Sequence, residues 1–121
     1  PMVFDIPRPP TLLVAVLLLV FALANALGEE LVWRGALLSE TAGLSAPGQY
    51  IILTLSFGVA HYHGLPGGFV GVALSGVAGG ILLLVRRRWG FISAVGAHFV
   101  ADVVIFGAVL PWVFFAEVWV Y

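Results

Sequence analysis

Apolar residues run through this chain in long blocks, and the polar positions between them mark its elements. Beyond Thr11 the chain is apolar to Gly28 except at Asn25, a run long enough to cross hydrocarbon. Glu29 to Thr41 holds good helix formers and no proline, so the pattern predicts one helix from about Thr11 to Thr41. At 1.5 Å per residue it would be roughly 45 Å long, so one end protrudes or tilts. Pro7, Pro9 and Pro10 suit its entry. Gly43 to Gly48, with Ser45 and Pro47, reads as a loop. A second, short helix is expected from Gln49 to about His63, a tight turn at Gly64–Gly68, and a third span from Phe69 to Val85. Arg86, Arg87 and Arg88 are expected to form a loop at the membrane edge beside Trp89, an interfacial aromatic. A fourth span runs from Phe91 to about Leu110; Pro111 breaks it, and Trp112 to Tyr121 is an aromatic segment. In the third span Gly67, Gly71, Ser75 and Gly79 recur every four residues. Small residues at that spacing let helices approach closely in lipid, and packing within the chain is expected in preference to a dimer seam. The expected fold is all-α: a polytopic transmembrane helical bundle of about four spanning helices plus the aromatic C-terminal segment, with residues 1–121 as a single domain.

Composition explains why these helices seek lipid. The chain is 62% hydrophobic and 9% charged, with a mean hydropathy of +1.14. A soluble domain is about a quarter charged, so this chain could not cover a water-facing surface. A net charge of −1 gives no reason to expect a nucleic-acid partner. The absence of cysteine excludes disulfides, thiolate catalysis and cysteine metal sites. A secretory signal would also show Arg8, an apolar run and a small-residue site such as Ala24-Asn25-Ala26, but more membrane follows it here rather than a soluble domain. The start at Pro1 and the aromatic end suggest a piece of a larger protein. The arginine triplet is expected to face the cytoplasm, with the 43–48 loop on the same side and Arg8 on the other.

Ionisable residues inside a membrane cost on the order of 2.5–3.5 kcal/mol each and are functional candidates by default. They are Glu29, Glu30, Arg34, His61, His63, His98 and Asp102. Glu29 lies about 14 residues before the 43–48 loop and His61 about 12 after it, roughly 20 Å and 18 Å of helix. His98 and Asp102 lie roughly 14–20 Å past the arginines. Three helices thus bring polar groups to one depth. His98 and Asp102, four apart, share a helix face, as do Glu30 and Arg34, whose order suits an ion pair. Glu29 points about 100° away from Glu30 and has no such partner, which leaves it free for general acid–base work. His63, beside Gly64 and Pro66, reads as a terminal or interfacial histidine.

Three short patterns follow in order. Glu29-Glu30-Leu-Val-Trp-Arg34 fits E-E-x-x-x-R, Phe57-Gly-Val-Ala-His61 fits F-x-x-x-H, and His98-Phe-Val-Ala-Asp102 fits H-x-x-x-[N/D]. Together, over residues 29–102, they resemble the CPBP family of intramembrane proteases, which includes the type II CAAX prenyl proteases and the bacteriocin-processing or immunity proteins of the Abi domain. The resemblance implies an intramembrane endopeptidase. Glu29 would be the general base and His61 its partner in holding water; His98 and Asp102 would stabilise the oxyanion. Glu30, Arg34 and Phe57 would support them. Many members have Asn at the last position, and an amide can donate to an oxyanion; an ionised Asp102 can only accept, so it must be protonated, orient His98 or bind a metal. The expected mechanism needs no metal. The alternative is a zinc protease with Glu29, His61 and His98 as a His₂Glu set. A non-enzymatic immunity or transport protein is the other reading. The partners implied are the bilayer and a hydrophobic or lipidated peptide, and the expected location is the plasma membrane of a prokaryote.

Overall fold

The computed structural model describes residues 11–64 and 66–109. The first apolar run and the polar stretch after it form one helix, α1, over Thr11–Glu40. Its backbone changes just past the paired glutamates. It is α-helical over Thr11–Glu30, opens into a wider π-helix over Leu31–Leu37, and closes again over Leu38–Glu40. Such i→i+5 segments are rare and gather at functional sites.

The second helix, α2, spans Ala46–Ala60, three residues earlier at both ends than Gln49–His63. Local chemistry explains the shift. The Ser45 side chain accepts a hydrogen bond from the Gly48 N–H and so caps the helix, and Pro47 occupies its first turn, where no N–H is needed. The expected 43–48 loop therefore ends at Ser45. At the other end His61 is the C-cap of α2 rather than an interior residue.

The third helix, α3, spans Gly68–Trp89, so Arg86, Arg87 and Arg88 are its last turn and not a loop. Arginine is a good helix former, and positive charge suits a helix C-terminus. The helix stops instead at Gly90, whose φ of +92° only glycine adopts readily. The fourth helix, α4, runs over Phe91–Val104 and continues as a second π segment, Ile105–Val109. By length and composition α1, α3 and α4 can each cross a membrane, whereas α2 is a shorter apolar helix of 15 residues. No strand occurs among the described residues. The expected aromatic segment, Pro111 and the entry prolines lie outside the described residues.

The helices close a ring: α2 packs on α3, α3 on α4, α4 on α1, and the π segment of α1 returns to α2. Glycine sets the tightest of these contacts. A methyl group on Gly58 would lie 2.6 Å from the Val72 carbonyl oxygen, and Gly76 faces it across the α2–α3 contact. Gly79 makes room for the Phe57 ring, which a methyl there would meet at 2.8 Å. The small-residue stripe of α3 thus serves packing within the chain.

Buried positions recur every four residues on α1, α2 and α4, the spacing of one helix face. On α1 they are Ala22, Ala26, Glu30 and Arg34; on α2 Gln49, Leu53 and Phe57; on α4 Ala94, His98 and Asp102. Each stripe ends on residues of one of the three motifs. The arginine end ties the ring together: Arg86 reaches the Arg34 carbonyl oxygen and lies over the Phe91 ring, and Arg87 bonds Gln49 and lies over the Tyr50 ring.

Candidate active site

The two glutamates at the end of the first α-helical stretch of α1 point to different sides. Glu30 is wholly buried, and its Oε1 accepts two hydrogen bonds, from Arg34 Nη1 at 2.9 Å and from His98 Nδ1 at 2.8 Å. Arg34 also donates from Nη2 to the Gly79 carbonyl at 2.9 Å, and its guanidinium lies 4.4 Å from the centre of the Phe57 ring. One ion pair therefore joins α1 to α4 through His98, to α3 through Gly79 and to α2 through Phe57. The spacing argument gave Glu30 a supporting role with Arg34; the fold adds that Glu30 also sets the orientation of His98.

Glu29 faces the other way, into a cavity of about 450 Å³ bordered by all four helices. His61 Nε2 stands 3.8 Å from its Oε1, and His98 Nε2 stands 3.6 Å from its Oε2. The Oε2 atom is buried and has no hydrogen-bond partner. Both separations exceed hydrogen-bond reach, the spacing at which a small bridging group sits between polar atoms.

Each imidazole is held from behind. His61 Nδ1 lies 2.8 Å from the Phe57 carbonyl oxygen, which can only accept, so Nδ1 carries the proton and Nε2 is turned to Glu29. The Phe57 ring lies 4.6 Å from the His61 ring and 6.2 Å from the His98 ring, with Trp33 edge-on at 5.5 Å. Phe57 is the aromatic post against which both histidines and Arg34 are packed. His98 Nδ1 donates to Glu30 by the same reasoning, leaving Nε2 toward Glu29 and, at 3.7 Å, toward Asp102 Oδ1. The other Asp102 oxygen, Oδ2, accepts from Asn25 Nδ2 at 3.0 Å.

The four residues expected to carry the chemistry, Glu29, His61, His98 and Asp102, all line this cavity, with Phe57 beside them and Glu30 and Arg34 behind His98. His63 is exposed, in the turn after α2, at the cavity edge. Asn25 lines the cavity as well and was not among the candidates. Its signal was present: a lone polar residue in an apolar run, four residues before Glu29 and so on the same helix face. No group of three or more His, Asp or Glu side chains among the described residues is placed to hold a metal ion.

An all-helical membrane protein that aims a carboxylate and two imidazoles into a cavity between apolar helices has the parts for hydrolysis inside a bilayer. The chain belongs to the family described as type II CAAX prenyl endopeptidase Rce1-like, whose model matches residues 11–104. Membership supports a membrane peptidase, with peptides as its class of substrate. No curated protein and no solved structure is significantly similar to the chain.

Proposed function

We propose that the chain is an intramembrane endopeptidase in which Glu29 activates the attacking water, with residues 1–121 acting as one catalytic domain. The observation that carries the reading is the Glu29 carboxylate itself: it lies in the cavity with one oxygen unpartnered and the Nε2 atoms of two oriented imidazoles facing it. Water between Glu29 and His61 donates to the carboxylate and to the neutral Nε2 of His61. Glu29 takes the water proton as the oxygen attacks the scissile carbonyl. The tetrahedral intermediate collapses with breakage of the C–N bond, and the proton on Glu29 passes to the leaving amine.

His98 and Asp102 stand on the oxyanion side. As an imidazolium, His98 carries N–H on both nitrogens, one held by Glu30 and the other free for the oxyanion. No step is routed through a metal.

The family and the apolar rim support a lipidated peptide of the CAAX type as substrate, with leader-peptide processing as the variant of the same chemistry. The proposed setting is the plasma membrane of a prokaryote, with the arginine end of α3 toward the cytoplasm. The test is cleavage of a prenylated CAAX peptide by the full protein in detergent. Glu29→Gln is expected to lose activity by about 10²–10⁴-fold with its thermal midpoint unchanged; a fully active, folded Glu29→Gln protein would remove Glu29 as the base.

A further inference from the structure

The cavity is rich in acceptors. Glu29 and Asp102 accept when ionised, and the Nδ1 protons of His61 and His98 are held by the Phe57 carbonyl and by Glu30, which leaves the imidazolium Nε2–H of His98 as the one histidine donor facing the cavity. A hydrolytic site must hold the oxygen of the scissile carbonyl as it gains charge, and that needs donors. Two lining side chains are neutral donors, the Ser75 hydroxyl and the Asn25 amide, and the amide is the one held in a fixed direction by a side-chain hydrogen bond. Asn25 is the only polar residue between Leu12 and Gly28. It projects from the same face of α1 as Glu29, one turn earlier, and lines the same cavity.

We propose that Asn25 is a further catalytic residue, donating its second amide hydrogen to the substrate carbonyl oxygen, and that Asp102 is the positioning residue that aims it. The amide nitrogen carries two hydrogens, and the 3.0 Å bond to Asp102 Oδ2 uses one of them. That bond also fixes the amide's sense. A carboxylate oxygen cannot donate, so nitrogen and not oxygen faces Asp102. The role left open for Asp102 is thereby filled without a proton on its carboxyl: one oxygen holds Asn25, and the other faces His98 Nε2 at 3.7 Å. Asp102 is buried, at 5% exposed, and lines the cavity beside both. Asn25 and His98, brought from α1 and α4 by the two oxygens of one carboxylate, are then the two halves of the oxyanion site. This assignment rests on the peptidase reading above.

The experiment is steady-state cleavage of a prenylated CAAX peptide by the full protein in detergent, with kcat and KM separated and the melting midpoint followed beside them. The variants are Asn25→Ala, the near-isosteric Asn25→Leu, Asp102→Ala and the Asn25→Ala/Asp102→Ala pair. Loss of one oxyanion donor lowers kcat by about 100-fold or more and leaves KM within about threefold, because the bond strengthens only in the transition state. Asp102→Ala in the Asn25→Ala background is expected to cost less kcat than in wild type, since the residue it aims is already gone. Asn25 variants that melt as wild type and keep kcat within about threefold overturn the proposal. So do losses of kcat that track loss of folded protein in both Asn25 variants, which would make the bond to Asp102 plain interhelical glue. Failure of wild type to cleave, or full activity of Glu29→Gln, overturns the peptidase reading itself, and the Asn25 role falls with it.

Discussion

Glu30 shows how much one buried carboxylate can hold. It binds Arg34 and His98 through a single oxygen, and neither partner is exposed beyond 5%. Removing one partner of a buried ion pair costs about 3–5 kcal/mol, because the other charge is left uncompensated. Glu30→Gln is therefore expected to lower the thermal midpoint in detergent and to cut activity as His98 loses its anchor, whereas Glu29→Gln should spare stability. Scanning calorimetry on the two variants side by side checks the contrast. The division of labour between the neighbours was legible in the sequence, because residues 100° apart on a helix cannot face the same group. What was not legible is the second bond to Glu30. It spans 68 positions of sequence, and no spacing rule reaches that far. For Asn25 the place on the Glu29 face was legible, but its bond to Asp102, 77 positions away, was not.

At the scale of elements, glycine decides how closely α2 and α3 can lie. A methyl on Gly58 would sit within 2.6 Å of a backbone oxygen that cannot rotate away, while a methyl on Gly96 would meet nothing within 4 Å. Gly58→Ala is expected to push the two helices apart, lower the melting midpoint and reduce activity by tilting Phe57 and His61. Gly96→Ala is expected to hold or raise stability, by up to about 0.5–1 kcal/mol from helix propensity alone. Melting midpoints of the two proteins check both signs. The four-residue recurrence of small residues in α3 was visible in the sequence and did mark a packing face. Helix ends were less visible. Sequence pattern alone ended α3 before the arginines, because three charges read as solvated loop, whereas the chain keeps them helical and uses two of them to tie α1, α2 and α4 to its end. The two π segments were not legible in the sequence: each holds a glycine, Gly35 and Gly107, but a lone glycine in a helical run does not specify a wider turn.

For the whole molecule, the composition predicts where it resides and the donor geometry predicts what it needs. With three apolar helices of spanning length, the protein is expected to stay in the pellet when membranes are washed at alkaline pH and to leave only with detergent. Because the chemistry proposed runs through Glu29, and no three-donor metal set is placed among the described residues, exhaustive chelation is expected to leave cleavage unchanged, read as kcat before and after treatment. A loss restored by zinc alone would overturn the metal-free chemistry.

The shortness of α2 has a consequence for supply. Fifteen residues of helix rise about 22 Å, against a hydrocarbon layer of about 30 Å. Such a helix is matched by thinning the bilayer or by letting polar chain enter it. The end nearest Glu29 is the one capped by His61, followed by Tyr62, His63 and Gly64. Every peptide bond hydrolysed consumes one water molecule, and oil is a poor reservoir of that reactant. If the chain hydrolyses peptides as proposed, a helix that stops at His61 is expected to let the scarcest reagent in beside the carboxylate that consumes it, while the greasy one arrives sideways from the lipid.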